Sequence, residues 1–330
     1  MKLIIQIPCL NEKDTLPVTI KDLPRSLPGV DEIEYLIIDD GSTDGTAEAA
    51  KALGVHHVVR FTKRKGLAAA FMAGIDASLQ LGADIIVNTD ADNQYNASDI
   101  EKLIAPILGG KADYVVGQRP VNEIEHFSFI KKKLQSLGSL VVRIVSGTDI
   151  PDATSGFRAL SRDAALKMNI FSEYTYTLET IIQAGLKGVA ITSVPIRVNP
   201  QLRESRLIKS VSDYIKKSII TIFRIFMFHK PLASFVYLGA AVFSMGLIIG
   251  VRFLYFYLTG HGAGHIQSLI LLAVLLTIGF NIMVLGLVGD LISVNRRLIE
   301  DVQFRIRKME IELKGREGRR KEGVGRNDGR

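Results

Sequence analysis

The sequence predicts an α/β domain built on a mostly parallel sheet, joined to a two-helix membrane hairpin. Three observations carry that prediction. Short apolar runs alternate with helix-periodic stretches from Leu3 to Arg119. Polar clusters rich in acids follow those runs, at the strand ends where a parallel sheet gathers its ligands. Further on, Leu232 to Val251 and Ile266 to Gly289 carry no charged side chain for 20 and 24 residues. Each is long enough to cross a hydrocarbon core of about 30 Å.

The elements follow in order. Leu3 to Ile7 is strand-like and Pro8 is expected to stop it; Asn11-Glu12 follow, then a helical pattern towards Leu23. Tyr35 to Ile38 is a second strand ending in Asp39-Asp40-Gly41-Ser42-Thr43-Asp44-Gly45-Thr46, where Asp44 suits the cap of a helix starting near Thr46. Val55 to Val59 is a third strand, and Gly66 opens an Ala-rich helix through Leu81. Ile85 to Asn88 is the fourth strand, Ser98 is expected to cap the next helix, and Tyr114 to Val116 is the fifth strand, leading to Arg119. Thr175 to Ala184 is helix-like; its Glu179 reads either as helix surface or as an active-site edge.

Composition fits a soluble part joined to a membrane part. Of 330 residues, 47% are hydrophobic and 23% charged, with a formal net charge of +7. In a strongly apolar chain that excess points to anionic headgroups or phosphorylated substrates rather than nucleic acid. The single cysteine, Cys9, excludes an intramolecular disulfide and a cysteine-based zinc cluster, and its place after a strand suits a structural role. The apolar run at Met1 to Pro8 is too short for a signal peptide.

Asp90-Ala91-Asp92, in the stretch Asn88 to Gln94, is the chemical centre of the sequence. Two carboxylates at i and i+2 share a face on a regular strand, and the turn beyond the strand can aim both at one cation. Hard oxygen ligands suit Mg²⁺ or Mn²⁺, ions that bridge diphosphates. Alone, the pattern also describes ordinary turn residues.

The ordered motifs decide between these. Pro8-Cys9-Leu10-Asn11-Glu12 resembles the opening motif of family 2 glycosyltransferases, which have the GT-A fold. Asp39 to Thr46, Lys65-Gly66-Leu67-Ala68-Ala69-Ala70 and Asp90-Ala91-Asp92 with Gln94 resemble the family's next three elements. Asp152-Ala153-Thr154-Ser155-Gly156-Phe157-Arg158 is similar to the segment of its polyprenyl-phosphate branch, which includes dolichol-phosphate mannose synthases. The resemblance covers residues 1–210 and implies a GT-A catalytic domain over 1–206. It implies that Pro8, Asn11, Glu12, Asp39, Asp40, Ala91 and Arg203 line the nucleotide-sugar site, and that Asp90, Asp92 and Gln94 hold Mg²⁺ or Mn²⁺. Arg119, Ser155, Arg206 and Lys209 are the expected contacts of the acceptor phosphate, since arginine offers a planar fork to phosphate. Asp90, Asp92, Arg119 and Asp152 are the expected catalytic set. Asp152 reads equally as a general base or as a turn residue. A hydroxyl acceptor needs such a base; a phosphate monoester, with a second pKa of about 6, does not.

Phe127 to Val145 mixes apolar and basic residues at helical spacing, as either a membrane-surface helix or an ordinary one with a solvated lysine face. Leu207 to Lys230 is basic and amphipathic and reads as an interfacial helix, with a helix against a cytosolic partner as the alternative. The expected spans are 231–258 and 266–294, joined by a loop at 259–265 without Lys or Arg. Basic residues before the first span and after the second, at Arg296-Arg297 and Arg305 to Lys308, place both ends and the catalytic half in the cytosol. The tail from 295 is expected to be helical, pairing with a second copy in a homo-oligomer, then disordered from Lys314.

The function expected is transfer of one sugar from a UDP- or GDP-linked donor to a membrane polyprenyl phosphate, with inversion implied by the family. A glycan-chain transferase with a hydroxyl acceptor is the rival. Its processive synthases carry a tryptophan motif that a chain with no tryptophan lacks. A catalytically idle membrane scaffold or sugar-nucleotide sensor is the third reading, opposed by the intact acidic pair.

Overall fold

The computed structural model describes residues 1–120, 129–170, 176–200, 231–260 and 266–325, together with 220 and 227; side chains of 129–137, 312 and 314–325 are outside that description. The expected roles of Arg203, Arg206 and Lys209, most of the 207–230 helix and the link at 261–265 therefore lie outside the described residues. Contacts divide the chain into two bodies, Met1–Ser218 with Gln303–Arg330, and Ile219–Val302.

The first body is a seven-stranded sheet covered by helices. Its elements are β1 (Lys2–Cys9), α1 (Leu16–Asp22), β2 (Glu32–Asp39), α2 (Thr46–Ala52), β3 (His57–Arg60), α3 (Leu67–Gln80) and β4 (Ile85–Asn88). A 3₁₀ turn at Ala97–Asp99 leads to α4 (Ile100–Leu108), β5 (Tyr114–Gln118) and α5 (Phe129–Ser146). Then come β6 (Arg158–Ser161), α6 (Arg162–Lys167), α7 (Thr177–Leu186) and β7 (Ile191–Pro195). The order across the sheet is β3-β2-β1-β4-β6-β5-β7. All pairings are parallel except those of β6, which runs against both β4 and β5.

Alternation along the strands sends side chains to two apolar layers. Leu3, Ile5, Ile7, Ile37, Ile85 and Val87 pack with Leu16 and Ile20 of α1 and Leu103 and Ile104 of α4. On the other face, Ile38 and Gln6 lie under α3 so closely that a Cβ on Gly74 would fall 2.8 Å from Ile38 Cδ1 and 2.5 Å from Gln6 Oε1.

Two local expectations are corrected. Pro8 does not stop β1, which continues to Cys9. On β1, β4 pairs with Leu3 to Gln6 alone, so Pro8 lies beyond that ladder, where a missing N–H costs no bond. Ser98 is not the cap of α4, whose N-cap is Asp99; Asn96 caps the 3₁₀ turn before it, its side chain accepting from Ser98 N at 3.1 Å. Asn accepts as well as Ser at such a position, and the intervening 3₁₀ turn moves the cap upstream.

The second body contains the apolar helices. α8 (Pro231–Leu258) and the apolar start of α9 (Ile266–Gly325) are long enough to cross a membrane. They approach through glycines: a Cβ on Gly239 would fall 2.7 Å from Gly279 O, and one on Gly279 would fall 2.7 Å from Phe243 N. Such small-residue contacts let helices meet where lipid supplies no hydrophobic drive. These helices indicate a membrane-anchored chain. α9 continues as one helix to Gly325, through the segment read from the sequence as disordered.

Candidate active site

Parallel strands β1, β2, β4 and β5 end on one edge of the sheet, and antiparallel β6 begins there. The loops after β1 and β2 are stitched together. Asn11, with φ of 55°, donates its backbone N–H to Ser42 Oγ at 2.9 Å and accepts Thr43 N on its side chain at 2.9 Å. Glu12 N bonds Thr46 Oγ1 at 3.0 Å, and the buried Glu12 carboxylate accepts from Thr15 Oγ1 at 2.7 Å. Asp44 accepts from Thr46 N and Lys13 N, but it is not the cap expected from sequence: the N-cap of α2 is Gly45, at φ of 88°, and Asp44 instead links the α2 entry to the loop after β1.

Asp39 and Asp40 differ. Asp39 is fully buried; Oδ1 accepts Ser42 N at 2.8 Å, while Oδ2 lies 3.2 Å from Arg60 Nε yet receives no directed hydrogen bond. Asp40 accepts Lys65 N at 2.6 Å and Gly66 N at 2.9 Å, so its carboxylate braces the entry to α3. Gly41 permits this closure: its φ is +76°, and a Cβ there would fall 2.8 Å from Arg64 N.

The loop carrying Asp90 and Asp92 is clamped from several sides. Thr19 Oγ1 of α1 donates to Ala91 O at 3.0 Å, and Asn93, at φ of 56°, donates to Asp22 Oδ2 at 2.9 Å. Asn199 donates backbone N to Gln94 O at 2.8 Å and side-chain Nδ2 to Asn93 O at 3.0 Å. Gln94 N bonds Asp92 Oδ1 at 3.2 Å. Beneath the loop, Gln6 Nε2 donates to Asn88 Oδ1 at 2.9 Å, and Asn88 Nδ2 donates to Gly156 O at 2.8 Å and Tyr176 Oη at 2.9 Å. Tyr176 stacks on Phe71 with centroids 4.0 Å apart.

No side chain or backbone donor hydrogen-bonds to the Asp90 carboxylate among the described residues. Burial, then the Asp92 charge, push its pKa from 3.8 up to about 7, against the opposing pull of Arg119 and Arg158. Two neighbouring carboxylates under mutual repulsion, one without a protein donor, fit a divalent cation. No third acidic, histidine or cysteine ligand completes a cluster among the described residues.

Across from this pair, Arg119 and Asp152 form a buried bidentate ion pair. Nε donates to Oδ2 at 2.8 Å and Nη2 to Oδ1 at 3.0 Å, and Nη2 also reaches Thr154 Oγ1 at 2.7 Å. Burial alone would raise the Asp152 pKa, but Arg119 and Thr154 hold it below the ordinary value. Asp152 is thus held in a buried ion pair with Arg119.

Ser155 is fully buried, its hydroxyl accepting from Phe157 N at 3.4 Å, so it presents no open surface to an acceptor. Glu179 is buried on α7 rather than on a solvated face. Sequence reading gave no site role to Asn88, Tyr95, Tyr176 or Asn199. Tyr95 Oη accepts Gly156 N at 2.9 Å and its ring stacks on Phe157 at 5.0 Å. The aromatic immediately after Gln94 was the available signal.

The sequence matches the Glycosyl transferase family 2 over residues 4–168, half of the chain. The chain belongs to that family and is a glycosyltransferase. It is 30% identical to the undecaprenyl-phosphate mannosyltransferase of Micrococcus luteus, over 63% of this chain and 88% of that protein. It is 31% identical to a UDP-N-acetylglucosamine–dolichyl-phosphate N-acetylglucosaminyltransferase of Methanococcus voltae, over 58% and 83%. Glycosyltransferase AglJ of Haloferax volcanii is 26% identical over 91% of this chain and 96% of its own, so that match includes the hairpin. The fold resembles glucosyl-3-phosphoglycerate synthase from Mycobacterium tuberculosis, with a TM-score of 0.52 and 22% identity over 68% of this chain and 78% of that one. That protein was crystallised with Mn²⁺ and UDP, and also with Mg²⁺ and UDP. The GT-A fold expected from the motifs is therefore the one present.

Proposed function

We propose that this chain transfers one sugar from a UDP- or GDP-linked donor to a polyprenyl phosphate at the cytosolic membrane face. The observation that carries the acceptor class is the Arg119–Asp152 pair. It places a fixed guanidinium beside Asp90 and ties up the acid that a hydroxyl acceptor would need as its base. The relatives named for undecaprenyl and dolichyl phosphate support the same acceptor, as do the apolar helices.

Asp90 and Asp92, with Gln94 beside them, would hold Mg²⁺ or Mn²⁺, which when bound neutralises the charge of the departing nucleoside diphosphate. Asn11, Glu12 and Asp39 shape the base and ribose side of the site, and the unbonded Asp39 Oδ2 offers an acceptor to a base N–H. Arg119 offsets the acceptor charge next to an anionic donor. An acceptor phosphate oxygen attacks the anomeric carbon as the bond to the diphosphate breaks, inverting that carbon. A phosphate that is already ionised releases no proton, so no base is required. The lysine and arginine flanks of the spans support a cytosolic catalytic half.

The test is full-length protein with a donor panel, polyprenyl phosphate in vesicles, and Mn²⁺ or EDTA. Label is expected in the lipid phosphate fraction, from uridine or guanosine donors, and only with divalent cation. Transfer that persists in EDTA, or that reaches only hydroxyl acceptors, refutes the proposal.

A further inference from the structure

We infer that Asp152, Thr154 and Arg158 are positioning residues that set the Arg119 guanidinium for an anionic acceptor without meeting the reacting atoms themselves; this rests on the acceptor-phosphate reading. Arg119 has five N–H donors. Nε and Nη2 are engaged along one edge, by the two Asp152 oxygens and by Thr154 Oγ1. Thr154 Oγ1 in turn donates to Asp152 Oδ1 at 3.0 Å, and Asp152 Oδ2 also receives the backbone N of Arg119 at 3.3 Å. These mutual bonds fix the plane of the guanidinium. Among the described residues its Nη1 amino group has no hydrogen-bond partner, which leaves those donors for an acceptor oxygen.

Arg158 holds the loop that holds this network. It is fully buried, and among the described residues every acceptor it meets is neutral: Ser155 O at 2.7 Å, Ala153 O at 3.0 Å, Thr180 Oγ1 at 2.6 Å and Tyr114 Oη. Ala153 and Ser155 flank Thr154, so one side chain grips both carbonyls around it. A buried guanidinium without a carboxylate is costly unless each donor is used. Here Nε and Nη2 hold the loop, and Nη1 ties it to Tyr114 on β5 and Thr180 on α7. Register places Arg158 opposite Asn88 on β4 and Val116 on β5, so the grip is anchored in the sheet.

Oriented donors gain their advantage from fixed geometry, so loosening them weakens recognition of the phosphate before it affects the donor. The experiment uses full-length protein in detergent with citronellyl phosphate as a soluble phosphate monoester probe, read by calorimetry and by acceptor KM. Asp152→Asn and Thr154→Val should weaken citronellyl phosphate binding about tenfold, with UDP and GDP binding in Mn²⁺ unchanged. Thr154→Ser, which keeps the hydroxyl, should restore it. Arg158→Lys should weaken the same constant, with nucleotide binding as its fold control. Unaltered binding in Asp152→Asn and Thr154→Val overturns this inference and leaves the acceptor reading standing. No citronellyl phosphate binding by the unaltered protein overturns both.

Discussion

Asp90 should make divalent-cation affinity steeply dependent on pH. Its carboxyl rises from 3.8 to about 7, first because it is buried and then because Asp92 is charged beside it. A raised carboxyl pKa means that the metal-free folded chain keeps a proton that the unfolded chain has released between those values. Unfolded minus folded proton binding is then negative, so metal-free stability falls as pH rises from about 4 to about 7. The gap corresponds to a ceiling of about 4 kcal/mol; because Asp90 titrates together with Asp92, the observable is smaller, about 2 kcal/mol. The same proton competes with the cation. With a carboxyl near 7, Mn²⁺ affinity should weaken about tenfold between pH 8 and pH 6. Electron paramagnetic resonance of free Mn²⁺, titrated into full-length protein in detergent, reads this directly. Asp90→Asn should remove both the binding and the metal-free pH dependence of stability. A Mn²⁺ affinity that stays flat from pH 6 to pH 8 refutes the reasoning.

Three further outcomes follow from packing. Gly156→Ala would place a Cβ 3.1 Å from Asp90 Oδ2 and 3.0 Å from Tyr176 Oη; it should lower Mn²⁺ affinity and cost about 1–3 kcal/mol in thermal unfolding. Asn96→Ala removes the acceptor for Ser98 N and should cost about 1 kcal/mol, with little effect on acceptor KM. Gly279→Leu drives a side chain into Phe243 N at 2.7 Å and should separate α8 from α9, read as earlier aggregation on heating in detergent.

Much of the sheet was readable because β1, β2, β4 and β5 are buried on both faces and appear as near-continuous apolar runs. Their ends then located Asp39, Asp90 and Arg119 on one edge. β6 was not readable: Arg158-Ala159-Leu160-Ser161 is four residues long and begins with a charge whose burial depends on partners in β5 and α7. β7 was equally hidden, since Ile191 to Pro195 is only partly buried at the sheet's edge. The fate of Asp152 was undecidable from sequence because its partner Arg119 lies 33 residues away. Asn199 illustrates the same limit, clamping the acidic loop from more than a hundred residues downstream. Asp40 shows how adjacent identical residues divide their work: alternation on β2 leaves Asp39 to the site and turns its neighbour to Lys65 and Gly66.

The central claim is that the nucleophile is a phosphate oxygen. Phosphorus-31 resonance of the lipid product, made by full-length protein from polyprenyl phosphate and a nucleotide sugar with Mn²⁺, tests it most directly. The account predicts that the monoester signal gives way to a glycosyl phosphodiester of inverted anomeric configuration. An unchanged monoester signal, with the sugar recovered on a hydroxyl, contradicts it.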